Sequence, residues 1–200
     1  MTNAFRKITL LSVVGLLALS SGNAHAAFSP VGISIFPPVQ FPPSDFTITG
    51  ARLNLPWGDH HSVFGFDIGI ANVTRQTMTG IQVGVLNVNG GMTNAIGLQV
   101  GAIGNFNTDK ANVYGLQLGL INFNRAESMV VGLGIAAYNN TPFTKVIGAQ
   151  VGLFNKANTV YGFQVGIVNS TDSLHGIQVG LLNFNTRGLF SVYPGLNIGF

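Results

Sequence analysis

The sequence predicts an all-β protein, an antiparallel meander of about ten strands, from a short repeat and from the alternation inside it. The repeated unit is Gly-x-Gln-x-Gly-x-x-Asn, and successive copies begin 14 to 19 residues apart. That interval fits one β-strand and one turn. Full copies begin at Gly80, Gly115, Gly148, Gly162 and Gly176, a near copy begins at Gly97, and looser copies begin at Gly65, Gly132 and Gly195.

Each unit alternates between two kinds of side chain with a period of two. In the copy that begins at Gly176, Gln178 and Gly180 fall on one face of a strand. Ile177 and Val179 fall on the other face, since successive side chains on a strand point in opposite directions. A helix is disfavoured, because two glycines within five residues would cost roughly 2 kcal/mol of helix propensity in every unit. Each strand is therefore expected to have one small, polar face and one aliphatic face.

Residues 1–26 have the pattern of a secretory signal peptide, which predicts an exported protein. Arg6 and Lys7 precede an apolar run over 8–19, and an Ala-x-Ala cleavage site follows. The run is shorter than the ~20 residues that a membrane-spanning helix needs, so a transmembrane anchor is the weaker alternative.

The Pro-rich segment 27–44 precedes a single β-repeat domain over 45–200. Its two Pro-Pro pairs predict an extended segment, either a plain tether or a segment that lies against the mouth of the sheet. In the domain, links of turn-forming residues separate the strands, and about four residues remain for each link in the shortest units. Such short links predict hairpins, because a parallel crossover needs a dozen or more residues. The ten strands are expected over 46–55, 63–71, 79–86, 96–103, 113–121, 130–138, 146–154, 160–168, 174–182 and 191–200.

Alignment of the ten strands places a polar residue at the centre of nearly every strand. Arg52 and Asp67 are the only charged residues in this column and are expected to pair, while Gly134 leaves a gap in it. The predicted structural polar belt consists of Arg52, Asp67, Gln82, Gln99, Gln117, Gln150, Gln164, Gln178 and Asn197.

A sheet with one continuous aliphatic face has to cover that face. Strands of about ten residues that alternate apolar-out and polar-in are typical of outer-membrane barrels, and closure satisfies every backbone group. The main prediction is therefore a small closed β-barrel with glycine and glutamine inside and lipid outside. A secreted soluble β-repeat protein, either a sandwich or a β-solenoid, is the alternative, because Gln and Asn form ladders between stacked units. The uneven spacing of the repeats counts against a solenoid.

The composition also favours a surface that is only partly in water. Charged residues make up 8% of the chain, and the mean hydropathy is +0.41, whereas soluble domains have about 25% charged residues. With 9 Lys and Arg against 6 Asp and Glu, the charge does not suggest nucleic-acid binding. The chain has no cysteine, so an oxidising compartment would put no thiol at risk.

The C-terminal strand resembles the signal strand of Gram-negative outer-membrane barrels, in which a glycine precedes alternating hydrophobic residues and a final Phe. Gly195, Ile198 and Phe200 carry this resemblance. It implies recognition by the barrel-assembly machinery.

From about residue 28 onwards, the chain is also similar to a family of bacterial secreted surface-repeat proteins. The similarity lies in a strand over 49–55, then Trp57-Gly58, then a Gly-x-Asp-x-Gly copy that begins at Gly65, and then the repeated units. It implies a surface or envelope location and no established activity.

Two clusters contain residue types that could carry chemistry, and neither supports an enzyme. His60-His61 could belong to a metal site, but no Cys or Glu cluster completes a ligand shell. Ser173, His175 and Asp172 have the residue types of a triad, yet residues this close in one turn rarely reach triad geometry. The predicted function is a non-enzymatic envelope protein with a structural or surface-interaction role and no catalytic, metal or cofactor site. Its expected partners are outer-membrane lipids and the barrel-assembly machinery, with neither nucleic acid nor a small-molecule ligand.

Overall fold

The computed structural model describes residues 27–91, 94–125 and 127–200, so the predicted signal peptide lies outside the described residues. The described chain is all-β, and its strands belong to one nine-stranded sheet. The strands are β1 (Phe28–Phe36), β2 (Val39–Phe41), β3 (Thr47–Asn89), β4 (Asn94–Asn107), β5 (Asn112–Asn124), β6 (Met129–Val151), β7 (Phe154–Val165), β8 (Val168–Asn185) and β9 (Val192–Gly199). Within the described ranges, no helix is long and apolar enough to cross a membrane.

The predicted antiparallel meander, and the closed barrel built from it, are wrong: the chain forms a parallel β-solenoid of about nine turns. Successive strands from β3 to β8 pair in parallel, and so do β1 and β3. The repeats stack in register, so that Gly80 faces Gly97 and Gly97 faces Gly115. In the described residues, antiparallel pairing occurs at the two ends, between β1 and β2 and between β8 and β9.

The repeat unit is a whole coil rather than one strand with a hairpin. In the coil that begins at Gly162, the first strand segment ends at Val165, the chain bends at Gly166, and the second segment begins at Val168. The chain then turns at the opposite edge and continues within β8 to Gly176 in the next coil. The dozen or more residues that a parallel connection requires are therefore the repeat itself.

The uneven repeat length is absorbed where the chain bends. Register shifts fall between Gly84 and Leu86, between Gly101 and Gly104, and between Thr141 and Lys145. Extra residues bulge outwards at these points, as in β-bulges, and the paired segments between them stay in register. The spacing that counted against a solenoid is thus compatible with one.

The first glycine of each unit is required by the stacking. Gly162 has a φ of 134°, a backbone conformation that is essentially restricted to glycine. A β-carbon built on Gly162 would lie 2.0 Å from the carbonyl oxygen of Gly148. The same close approach recurs along the column from Gly65 to Gly176. Neighbouring coils can pack at this column only because the position has no side chain.

The interior of the solenoid combines narrow apolar columns with rows of amides. Most of the apolar residues lie two places before the first glycine of a unit, where the alternation points inwards. The columns contain Ile48, Val63 and Met78 near the N-terminal end and Ala95, Val113, Val130, Val146, Ala157, Val160 and Leu174 further along, all at most 4% exposed.

Both ends of the solenoid are closed by a strand of opposite direction. The Pro-rich segment supplies β1 and β2 to the sheet, and Pro37, Pro38 and Pro42 flank or adjoin β2 at the N-terminal end. At the other end β9 pairs with β8 and contains Pro194. Because proline lacks an N–H group, its presence at a sheet edge discourages further strand pairing. The caps therefore limit end-to-end stacking of one solenoid on another.

Replacing Gly162 by Ala is expected to destabilise the fold by more than about 3 kcal/mol, because the new β-carbon adds backbone strain and meets the Gly148 carbonyl. Gly195→Ala is the matched control. Gly195 also has a positive φ, 78°, but nothing lies within 4 Å of its built β-carbon, so a cost of about 1–2 kcal/mol is expected. Urea unfolding followed by circular dichroism measures both values. Equal costs would show that close packing at this column does not limit stability.

Candidate functional site: the buried polar rows and the apolar outer surface

The nine residues predicted as a polar belt all lie inside the coil stack and are at most 3% exposed. Four of the glutamines donate to the glutamine one coil earlier: Gln99 Nε2 lies 3.0 Å from Gln82 Oε1, and Gln117 Nε2 lies 2.8 Å from Gln99 Oε1. Gln164 and Gln178 donate in the same way. The row is interrupted at Gly134, which faces Gln117, and it resumes at Gln150. Amides joined in this way hold neighbouring coils in a single register.

A second row consists of asparagines. It was not predicted from the sequence, although the Asn that ends the repeat unit indicated it. Asn155 Nδ2 donates to Asn169 Oδ1 at 2.8 Å and to the Val165 carbonyl at 2.9 Å. Its Oδ1 accepts from Asn139 Nδ2 at 2.8 Å. Since asparagine carries two N–H donors and one carbonyl acceptor, each residue can bind both neighbouring coils and a backbone carbonyl. The row consists of Asn54, Asn72, Asn87, Asn105, Asn122, Asn139, Asn155, Asn169 and Asn183.

Arg52 and Asp67 form a bidentate ion pair, fully buried at the N-terminal end of the glutamine row. Arg52 Nε donates to Asp67 Oδ1 at 2.8 Å, and Nη2 donates to Oδ2 at 2.6 Å. The carboxylate also accepts from Asn54 Nδ2 at 2.9 Å and from Gln82 Nε2 at 3.0 Å. The pair therefore begins the row that continues as amides through the later coils.

His60 is buried beside this ion pair as a neutral imidazole. Its Nε2 lies 3.0 Å from the Pro42 carbonyl, and its Nδ1 lies 3.2 Å from Arg52 Nη1. A carbonyl can only accept and a guanidinium can only donate, so Nε2 carries the proton and Nδ1 accepts. Burial, together with the nearby Arg52 charge, lowers the pKa of His60 to about 4.

The residues considered for a metal site are engaged in these structural contacts. Asp59 accepts hydrogen bonds from the Arg75 guanidinium through both carboxylate oxygens, and His60 is held by Arg52 and Pro42. Among the described residues, no group of three His, Cys, Asp or Glu side chains could hold a metal ion.

Ser173, His175 and Asp172, which have the residue types of a triad, make other contacts. Ser173 Oγ lies 3.4 Å from His175 Nε2. Asp172 accepts a hydrogen bond from Thr186 in the next coil at 3.1 Å, and the His175 ring stacks on Tyr161 with 4.4 Å between ring centroids. The cluster thus links neighbouring coils at their surface.

The outward side of the first strand segments forms a continuous apolar surface. Each coil presents the residues one before, one after and three after the first glycine, as in Tyr161, Phe163 and Val165. In the described coils none of these columns holds Lys, Arg, Asp or Glu. The large apolar members that are exposed are Leu53, Phe64, Phe66, Ile68, Val83, Ile96, Ile135, Val151, Tyr161, Phe163, Val165 and Val179.

The apolar surface continues around the bend after the second glycine of each unit. The backbone groups at this bend pair between coils: Ile167 N donates to Leu153 O, and Leu182 N donates to Ile167 O. Leu181 projects from the bend with 71% of its surface exposed. We call this row of bend residues the apolar edge, and it consists of Leu55, Ile70, Ile103, Leu120, Leu153, Ile167 and Leu181.

The opposite edge of the solenoid carries the exposed charges of the coils. It comprises the corners between the second strand segment of one coil and the first segment of the next, together with the adjoining ends of these segments, where Lys145 and Lys156 lie. We call it the charged edge, and it consists of Arg75, Asp109, Lys110, Arg125, Glu127, Lys145, Lys156, Asp172 and Arg187, all exposed. The exposed charges of the coils thus lie at the edge opposite the apolar edge, and three exposed apolar residues, Phe143, Leu189 and Phe190, lie among them.

The residues predicted as an assembly signal lie in the C-terminal cap. Gly195 faces Gly180 in β8, and Ile198 is 52% exposed. Phe200 is fully exposed. Asn197 lies between Gly195 and Ile198. Its Nδ2 donates to Gln178 Oε1 at 2.7 Å, and this contact ends the glutamine row. A role of these residues in assembly stays a prediction.

Fold and surface together define a class of protein, a β-solenoid with a hydrogen-bonded polar interior and an apolar exterior. Comparison with protein-family models found no matching family, and comparisons with curated proteins and with solved structures found no match. The similarity to surface-repeat proteins therefore stays a prediction, and the function is argued from the site.

Asp67→Asn is expected to destabilise the protein by about 3–5 kcal/mol, because it leaves the buried Arg52 guanidinium without its counter-charge. The matched variant is the double substitution Arg52→Gln with Asp67→Gln, which extends the amide row and is expected to cost less than about 2 kcal/mol. Denaturant unfolding measures both. A double variant as unstable as Asp67→Asn would contradict the idea that an uncompensated charge causes the loss.

Stability is expected to fall as the pH drops from about 6.5 to about 4. In this window the unfolded chain takes up a proton on His60, whereas the folded protein keeps that imidazole neutral. The difference between the two pKa values corresponds to about 3 kcal/mol. His60→Gln should flatten this part of the profile, and the free energy of unfolding at pH 7.5 and pH 4.5 checks it. Identical pH dependence in both proteins would refute the assignment.

Proposed function

We propose that this chain is a non-enzymatic β-solenoid of the cell envelope that acts as an interaction module through its apolar outer surface. The observation that carries the proposal is the continuous apolar surface, which covers the outward side of the first strand segments and the apolar edge. The barrel that the alternation predicted has no part in this proposal. The proposal follows the alternative predicted from the sequence, a β-solenoid that binds a partner at its surface.

The size of the apolar surface supports an interaction role. With strands about 4.8 Å apart and segments about 15 Å long, the outward side of the first segments alone measures roughly 600 Å². Soluble monomers rarely expose contiguous apolar patches of more than a few hundred Å², and larger ones mark binding or membrane sites. Exposed residues such as Phe66 and Phe163, at 54% and 52%, make it an apolar surface of large side chains.

The polar interior supports a rigid rather than a catalytic role. Arg52, Asp67 and His60 hydrogen-bond one another or neighbouring coils, and the Gln and Asn amides are used in coil stacking. Satisfied polar networks of this kind rigidify a structure. The side chains that could take part in catalysis therefore stabilise the scaffold, and the outer side chains are left for contact with a partner.

Export is the remaining part of the proposal. The pattern over 1–26 predicts a signal peptide, and the similarity to surface-repeat proteins implies the same location. An envelope environment supplies membranes and surface partners that could cover an apolar exterior.

Fractionation of the producing cells tests the proposal. The wild type is expected in the envelope fraction, and the double variant Leu153→Lys with Leu181→Lys on the apolar edge is expected to move to the aqueous fraction. The matched control, Thr108→Lys with Thr186→Lys, adds the same charge at exposed positions beside the charged edge and should behave as the wild type. Circular dichroism confirms that all three are folded. The proposal fails if the wild type is aqueous, or if both double variants fractionate alike.

A further inference from the structure

We propose that the covering partner is lipid, and that the solenoid lies in one leaflet of a membrane with its apolar edge in the hydrocarbon and its charged edge in water. This inference rests on the proposed interaction function and names its partner. It differs from the barrel in that the chain enters the membrane from one side and does not cross it.

The apolar surface covers three sides of the solenoid. It extends over the outward side of the first segments, around the apolar edge, and onto the second segments, where Phe154 and Leu182 are 47% and 44% exposed. A second copy of the chain, packed face to face, would cover one side and leave the apolar edge in water. A fluid hydrocarbon phase covers all three sides at once.

The charged edge fixes the direction of the solenoid axis relative to the membrane. Its residues occur in coils along the length of the solenoid, from Arg75 to Arg187. A solenoid axis perpendicular to the membrane would place these charges in hydrocarbon, where each costs several kcal/mol on common scales. The axis therefore lies parallel to the membrane plane.

The distance between the two edges of a coil matches the thickness of one leaflet. From the charged edge to the apolar edge, a strand segment of five or six residues spans about 15–20 Å. Half of a ~30 Å hydrocarbon core is about 15 Å. A coil inserted edge-first therefore reaches approximately the middle of the bilayer.

Backbone N–H groups at the apolar edge donate their hydrogen bonds within the protein. Lipid offers no partners for free N–H and C=O groups. Here Gly152 N donates to Val165 O, and Gly166 N donates to Val179 O. Asn169 Nδ2 also donates to the Val179 carbonyl at 2.9 Å. Inter-coil bonds and the asparagine row thus make a bend compatible with hydrocarbon.

Aromatic residues next to the charged edge fit the same orientation. Tyr114 and Tyr161 lie at that end of the first segments, and Phe106 and Phe123 lie at that end of the second segments, 6.5 Å apart between ring centroids. Lys145 Nζ lies 4.4 Å from the centroid of the Tyr161 ring. Aromatic and basic side chains are enriched at membrane–water interfaces. Tyr138 departs from this pattern and lies near the apolar edge.

The test uses Trp57, the single tryptophan of the sequence, which is 47% exposed and lies two residues after Leu55 of the apolar edge. The purified full chain is transferred from detergent into phosphatidylcholine vesicles. We expect the Trp57 emission to shift to the blue, and lipids brominated deep in the acyl chain to quench it more than lipids brominated near the headgroup.

Two variants show which edge enters the lipid. Leu181→Lys should lower the vesicle partition coefficient at least roughly tenfold, since lysine is unfavourable in hydrocarbon. Thr186→Lys, beside the charged edge, should stay within about twofold of the wild type. Shallow quenching, absence of vesicle binding, or equal effects of the two variants would overturn the lipid inference.

The outcomes separate this inference from the proposed function. If the apolar-edge variants leave the envelope fraction in cells but the wild type ignores vesicles, the surface binds a protein and only the lipid inference fails. If sedimentation shows that two copies associate through this surface and exclude lipid, the lipid inference fails in the same way. If the variants fractionate as the wild type, the proposed function itself fails.

Discussion

The stacking of like coils in register through buried amides is the constraint on which the rest of this structure depends. From Asn72 to Asn169, the asparagines of the row donate forward to the next coil and to a backbone carbonyl, as Asn155 does to Asn169 and to Val165. A buried amide left without partners costs about 1–3 kcal/mol, so a coil shifted by one residue would lose several such contacts. This penalty explains why the repeat conserves a Gly, a Gln and an Asn at set places along one chain.

The amide interior also decides what faces outwards. Because alternate residues of a strand point to opposite sides, placing Gln164 and Gly162 inside the coil turns Phe163 and Val165 outside. Cohesion between coils comes from hydrogen bonds and narrow apolar columns, and the larger aliphatic and aromatic groups are left at the surface. Such a surface is favourable only when something covers it, and the segregation of charges to one edge indicates how it is oriented when covered.

Part of the fold and of the site could be predicted from the sequence. Alternation within the unit separates the two faces, and alignment of the units brings Arg52 and Asp67 into one column, where they form an ion pair. Strand direction could not be predicted, because a hairpin and a half-coil have the same alternation and both need only a short link. The Asn row was missed because a residue after a bend looks like part of a turn, although its recurrence in every unit was visible.

The sequence by itself determined the all-β character, the repeat and the division of each strand into a polar and an aliphatic face, since these follow from local residue order and a period of two. Only the tertiary structure decided that the units stack in parallel, that the asparagines form a row, and that charges and bend leucines occupy opposite edges. These features depend on contacts between residues one coil apart, 14 to 18 positions along the chain. Local order does not specify which residues meet at that distance, because the choice rests on the relative stability of competing ways to pair whole strands.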